Sequence, residues 1–340
     1  MLYNSRTLVW LKFLLCLAAI LVAGSRLARY ADVIAEKSGL GRIWIGLALV
    51  ALITATPEMA TGVSAAALVK SPDLAIGTLI GSCCFNLSIL FVLDHVTGRE
   101  PVLAGVGRGH LPSICGGVIL LAVAALGLFL SQRLSLPTLA WVSLPAIMML
   151  VGYPLVLRTI LMRERARTPV DHDAIEYYTS STLRGALTGF ALASAVVIGA
   201  GVWLSFIGDE IAAVTGWGTS FVGNLLLAIA TSAPEVVVSV AAVRMGFVDI
   251  AVADILGANM LDTGMVGIVD LFYLRGSVFA DASPVNLVII LVAILSTLFV
   301  GLAIWRGKAR YLIGRLTWYG PATVALYIGA AYVLFTFGGA

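Results

Sequence analysis

The sequence predicts an all-α polytopic membrane protein of ten transmembrane helices, arranged as two inverted five-helix repeats. Three observations carry that expectation. Hydrophobic residues fill 60% of the 340 positions and charged residues 11%, where an ordinary soluble domain is about 25% charged. Apolar runs of about 20 residues recur along the chain, each long enough to cross a bilayer as a helix. One block of motif residues also occurs twice, about half a chain apart.

In order, the runs are about 8–30, 41–69, 74–95, 112–130, 136–162, 185–207, 218–244, 249–274, 284–305 and 316–338. The connection after the first carries Arg26, Arg29, Lys37 and Arg42, and Lys70 falls after the second. Arg99 and Arg108 follow the third, Arg133 the fourth, and a polar stretch from Arg163 to Arg184 the fifth. Arg244, Arg275 and the group Arg306, Lys308, Arg310 and Arg315 mark the seventh, eighth and ninth. With both termini outside, just five of the 21 Lys and Arg residues (Arg6, Lys12, Lys70, Arg133 and Arg275) remain on the outer side. The positive-inside rule selects that orientation. A signal-peptide reading of the N-terminal run would leave Arg26 and Arg29 outside and break this pattern.

The expected organisation is a first half, 1–162, with its repeat at about 41–95; a cytoplasmic linker, 163–184; and a second half, 185–340, with its repeat at about 218–274. The setting is the cell (inner) membrane. The basic residues form no single stripe, so nucleic acid is excluded as a partner. The lipid bilayer is the one partner composition demands, and no obligatory protein partner is evident. Cys16, Cys83, Cys84 and Cys115 lack the spacing of a disulfide scaffold or a structural zinc site.

The repeated block reads Thr54-Ala55-Thr56-Pro57-Glu58, Asp73 to Gly77 and Gly81-Ser82-Cys83-Cys84-Phe85-Asn86 in the first copy. In the second it reads Thr231-Ser232-Ala233-Pro234-Glu235, Asp249 to Ala253 and Gly257-Ala258-Asn259-Met260-Leu261-Asp262. Glu58 and Glu235 lie 177 positions apart, and Asn86 and Asp262 lie 176 apart. Five spans separate the copies, and an odd number reverses direction, so they enter the membrane from opposite sides. Asp73 and Asp249 are expected to cap the helices they begin. Pro57 and Pro234 fall mid-span, where each removes a backbone donor and breaks the ladder. Such a break is tolerated at that depth only inside protein or beside a cavity.

Glu58, Glu235 and Asp262 lie near mid-span, with Asp254 nearer a helix end and Asp270 expected in solvent. At roughly 2.5–3.5 kcal/mol each, three acids near helix centres cost on the order of 8–10 kcal/mol if unpaired. Residues 43–69, 74–95, 218–243 and 249–274 hold no Lys, Arg or interior His. The counter-charge must then arrive as metal ions or protons. Thr54, Thr231, Ser82, Asn86, Ser232 and Asn259 complete an oxygen-rich set, suited to hard cations that take roughly six to eight oxygen ligands. Gly77 with Gly81, and Ala253 with Gly257, would let the polar helix faces approach closely.

These paired segments resemble the α-repeats of the sodium/calcium exchanger family, the Ca2+/cation antiporters, in a minimal prokaryotic-type form. The resemblance covers about 70 residues directly and the five-plus-five layout beyond them. It implies Na+/Ca2+ exchange by alternating access, with both ions as transported substrates and no resident cofactor. It places Ca2+ on Glu58 and Glu235, with carbonyl help at Thr54 and Thr231, and Na+ on Ser82, Asn86, Ser232 and Asp262. It further implies that the first and sixth helices slide against the other eight. Departures from the family pattern fall at Thr78/Asp254, Cys83/Asn259, Ser82/Ala258 and Ala55/Ser232. They bear on the number and identity of the Na+ sites, and Asp254 joins the candidate ligands for that reason.

An H+-coupled or K+-dependent antiporter of the same fold is the alternative. Neither copy carries Gly-Asn-x-x-Glu around its glutamate, which favours Na+. A non-transporting scaffold would leave the buried acids unexplained. An enzyme is not expected, since no H-E-x-x-H zinc motif is present and Asp254 and Asp262 share one helix.

Overall fold

The computed structural model describes residues 2–37, 51–97, 100–167, 182–307, 311 and 316–338. The described residues are almost wholly helical. Its first helix, α1, spans Leu2–Lys37. The short helices α2 (Ala51–Thr54) and α3 (Thr56–Ser64) follow, and α3 runs into a π-helical turn at Ala65–Val69. Next come α4 (Pro72–Thr97), α5 (Leu111–Ser131), α6 (Leu144–Arg167) and α7 (Leu183–Thr215). A bent pair comprises α8 (Thr219–Thr231) and α9 (Ala233–Arg244), which meet at 44°. The remainder is α10 (Val248–Phe272), the single turn α11 (Val278–Asp281), α12 (Asn286–Arg306) and α13 (Tyr319–Phe337).

Among the described residues eight helices are long and apolar enough to span a membrane, and the bent pair makes a ninth. The chain is therefore an integral membrane protein. The second expected run, 41–69, is described from residue 51 onward, and its start lies outside the described residues. So does most of the expected linker, 168–181. The fifth run begins later than expected. Thr138–Leu139 and Val142–Ser143 form a two-residue antiparallel ladder, and α6 starts only at Leu144. The turn between the strands holds Ala140 at φ 58°, a left-handed conformation that helical propensity does not foresee.

α4 and α10 are the most enclosed spans, with 83% and 78% of their apolar windows inside the protein. They carry the third segments of the two repeats and pack on one another. α4 also crosses α8 at backbone distance. A Cβ added at Gly77 would stand 2.8 Å from the Ser220 carbonyl oxygen, and one at Gly81 2.7 Å from Asn224 Cα. Only glycine permits that approach. α1 and α7 lie along each other, joined by the Cys16 thiol donating to the Ala200 carbonyl at 3.0 Å. A half-exposed Lys12–Glu210 ion pair at 2.7 Å ties them further along.

Two sets of aspartates hold the helix ends, and both follow the 176-residue spacing. Asp94 accepts from Val102 N–H, Tyr319 O–H and Thr317 O–H, each at 2.8 Å. Asp270 accepts from Val278 N–H at 2.7 Å and from Ser143 N–H and O–H at 2.8 and 2.9 Å. Asp270 is thus fully buried rather than solvated, because three donors replace its water. Asp73 and Asp249 do not cap their own helices. Asp73 instead accepts from Ser283 N–H and Asn286 Nδ2, each at 2.6 Å, while Asp249 pairs with His110 Nε2 at 3.1 Å. His110 and Asn286 are themselves 176 apart. Each aspartate reaches the start of a helix in the other half, which offers donors its own first turn does not.

Candidate ion-binding site

Both motif prolines sit at the start of a helix that begins mid-span. Ala55 (φ −77°, ψ 7°) precedes α3, and Ser232 (φ −85°, ψ 7°) precedes α9, so the two breaks share one backbone conformation. Proline brings no N–H, and the carbonyls four residues back, on Ile53 and Ala230, lose their ordinary helical donor. The ladder resumes with Met59 N–H to the Ala55 carbonyl at 3.0 Å and Val236 N–H to the Ser232 carbonyl at 3.4 Å. Glu58 and Glu235 thereby fall in the first turns of α3 and α9, where the positive end of the helix dipole favours negative charge.

Both glutamates are fully buried. The Ser232 hydroxyl donates to Glu58 Oε1 at 2.8 Å, so a residue of the second break serves the carboxylate of the first. Thr231 lies beside the same carboxylate and faces the Ser82 hydroxyl at 3.4 Å. Glu235 lies within electrostatic reach of Glu58, Asp254 and Asp262, and Asp262 within reach of Glu58. All four acids therefore share one buried region. Thr54, Ser82, Asn86, Thr231 and Asp262 are each 2% exposed or less, so water cannot screen them. Glu58, Ser232, Thr231 and Ser82 are linked side chain to side chain, Glu235, Asp254 and Asp262 lie within electrostatic reach of them, and Thr54 and Asn86 are buried.

The hydrogen-bond inventory of this region does not close. Glu58 Oε2, both Glu235 oxygens, Asp262 Oδ1, Asn259 Oδ1 and both polar atoms of Asn86 have no partner. Each such buried group ordinarily costs about 1–3 kcal/mol, more when charged. The ion pairs Lys12–Glu210 and His110–Asp249 involve none of Glu58, Glu235 and Asp262. Nor do three His, Cys, Asp or Glu side chains among the described residues converge on one point. A cation here must draw on hydroxyl, amide and carbonyl oxygens beside the carboxylates, which is the chemistry of a hard ion.

Three relationships lay beyond the sequence reading. Cys83 and Asn259, 176 apart, bond each other's backbone across α4 and α10. A Cβ added at Gly24 of α1 would stand 2.5 Å from Pro234 Cγ. One added at Gly201 of α7 would stand 2.8 Å from Ala60 Cβ and 3.1 Å from the Pro57 carbonyl oxygen. Gly24 and Gly201 are 177 apart, so the long helices α1 and α7 each touch a break at matched positions. The spacing alone would have flagged these glycines, but small residues in apolar runs are too common to stand out.

Fold and site together define a polytopic helical membrane protein with buried glutamates at two helix breaks and buried aspartates on the neighbouring α10. The chain belongs to the family described as sodium/calcium exchanger protein, whose model matches residues 8–162 and 185–337. That family is one of transporters, not enzymes. The chain is 26% identical over 254 residues to inner membrane protein YrbG of Escherichia coli (strain K12), covering 74% of this chain and 75% of that one. Its fold is similar to the sodium-calcium exchanger NCX_Mj soaked with 100 mM Na+ and 10 mM Sr2+. The TM-score is 0.62 at 22% identity, covering 98% of this chain and 99% of the other. It is also similar to the H+/Ca2+ exchanger CAX, with a TM-score of 0.73 at 15% identity over 97% and 85% of the two chains.

Proposed function

We propose that the protein exchanges Na+ for Ca2+ across the cell (inner) membrane by alternating access, with both termini outside. In this reading ten helices form two inverted halves, 1–162 and 185–340, joined by a cytoplasmic linker at 163–184. One observation carries it: two glutamates at matched breaks lie in a buried region where Glu58 Oε2, both Glu235 oxygens and Asp262 Oδ1 lack partners, on spans whose sequences hold no Lys or Arg. Such a cluster is costly unless a mobile cation offsets its charge.

Glu58 and Glu235 then hold Ca2+, with carbonyl oxygens around Thr54 and Thr231. Ser82, Asn86, Ser232, Asp254 and Asp262 supply the surrounding oxygens that Na+ takes when Ca2+ leaves. Competition for one set of carboxylates is what couples the two ions. α1 and α7 abut the breaks through Gly24 and Gly201, so sliding of that pair would open the cluster to one side and then the other. The family match to a sodium/calcium exchanger supports this choice of ions.

An H+-coupled exchange on the same scaffold is the second reading. It is favoured by Ala55 and Ala258, which stand where the other copy carries the hydroxyls of Ser232 and Ser82. The test is Ca2+ flux in vesicles under an imposed Na+, H+ or K+ gradient. Na+-driven flux in the wild type, abolished in Glu58→Gln and in Glu235→Gln, is the expected result. Flux that persists in both variants would remove the site assignment.

A further inference from the structure

The second break is preceded on α8 by two buried polar residues, Ser220 and Asn224. Ser220 and Asn224, one turn apart on α8, are 1% and 0% exposed. Neither Asn224 side-chain atom has a hydrogen-bond partner, although its backbone carbonyl accepts from Tyr327 O–H at 2.7 Å. The Ser220 hydroxyl lies near the Asp73 carboxylate without a hydrogen bond of ordinary geometry. The positions 177 residues earlier are Ile43 and Leu47, so the first copy is apolar where the second is polar. An asparagine that satisfies none of its side-chain groups is costly in a dry interior, and packing alone would select leucine there.

Position in the fold gives these residues a direction. Asn224 lies in the π-helical turn Gly223–Leu227, and such turns recur at functional sites. Its backbone rests on Gly77 and Gly81 of α4. Asp73 begins that helix, and Ser82, which faces Thr231, follows Gly81. From Ser220 to Thr231 is about 16 Å along the helix axis. Ser220 and Asn224 therefore occupy the stretch between the Asp73 end of the protein and the acidic cluster.

We infer that Ser220 and Asn224 form a neutral way-station for a partly hydrated Na+ ion, on the Asp73 side of the cluster alone. This rests on the exchange reading above. Uncharged oxygens replace part of a monovalent ion's hydration shell but bring too little charge to strip a divalent one, so Ca2+ is not retained there. The matched sequence positions, Ile43 and Leu47, carry no polar side chain, and the two faces of the protein should therefore differ in their response to Na+.

The test uses the full chain in vesicles of defined orientation, with Na+ titrated on one face while Ca2+ flux is read. Asn224→Leu installs the residue of the first copy, and Ser220→Ala is a milder second variant. Asn224→Leu should raise the half-maximal Na+ concentration about fivefold on the Asp73 face, the effect of losing one polar ligand. The opposite face and the half-saturating Ca2+ concentration should not change. Wild-type Na+ dependence in both variants, or an equal shift on both faces, would overturn the way-station while leaving the exchange reading intact. Wild-type protein with no Na+-driven flux would remove the exchange reading, and the way-station with it.

Discussion

The Cys83 thiol donates to the Asn259 carbonyl at 3.4 Å, while the Asn259 side-chain amide donates to the Cys83 carbonyl at 3.1 Å. These matched residues of the two repeats therefore clasp one another across α4 and α10. The bonds are unequal, because a thiol is a weak donor and an amide a strong one. Cys83 also lies within electrostatic reach of Asp262 and Glu58, so the clasp joins the helix of Ser82 and Asn86 to that of Asp254 and Asp262 beside the cluster.

Asn259→Ala should cost about 1–2 kcal/mol, because it leaves the buried Cys83 carbonyl without that donor. Cys83→Ser should cost less, since a hydroxyl can make the same bond. Thermal unfolding in detergent, read for both variants, checks the order. Equal losses would mean that packing, not the clasp, holds the pair.

The aspartates at the far ends of α4 and α10 make a second prediction. Asp94→Asn and Asp270→Asn each convert an acceptor oxygen into a donor that faces donors. Each should cost about 2–3 kcal/mol. Neither residue touches the acidic cluster, so Ca2+ affinity should hold in the folded fraction. Binding that falls before stability does would place these residues in the transport machinery.

Lys70 has φ 65° at the turn between α3 and α4, and the residue 176 positions later is Gly246 at φ 86°. The turn needs a left-handed residue in both copies, and the first copy meets that need with a strained lysine. Lys70→Gly should stabilise the protein by about 1 kcal/mol. A lower melting temperature in detergent would contradict this, and would assign the lysine side chain a structural role.

Gly24→Val and Gly201→Val bear on motion. Filling either position forces α1 or α7 away from a helix break, at a cost of about 1–3 kcal/mol. If these helices slide, turnover should fall in both variants while equilibrium Ca2+ binding persists. Loss of binding in step with turnover would show that the glycines shape the site itself.

Much of this arrangement was legible in the residues. The Pro-Glu pairs marked the breaks, the 176–177 spacing marked the matched copies, and the acids on spans without Lys or Arg drew attention to Glu58, Glu235 and Asp262. Less could be read where function depends on partners distant in sequence. Asp270 was expected in solvent because hydropathy sees its place near a span end but not the Ser143 and Val278 donors that fold onto it. Asp73 and Asp249 looked like caps because a local rule describes them well, and the cross-half partners Asn286 and His110 are visible only in three dimensions. Asn224 passed unnoticed because one amide in an apolar run carries no pattern until its matched position, Leu47, is set beside it.

Equilibrium binding of radiolabelled Ca2+ to purified protein, with and without Na+, tests the central claim most directly. That claim is that the carboxylates at the two breaks await a mobile cation. Saturable binding by the wild type is expected, displaced by Na+ and lost in both Glu58→Gln and Glu235→Gln. Ca2+ binding that survives in both variants, or that Na+ fails to displace, would contradict it.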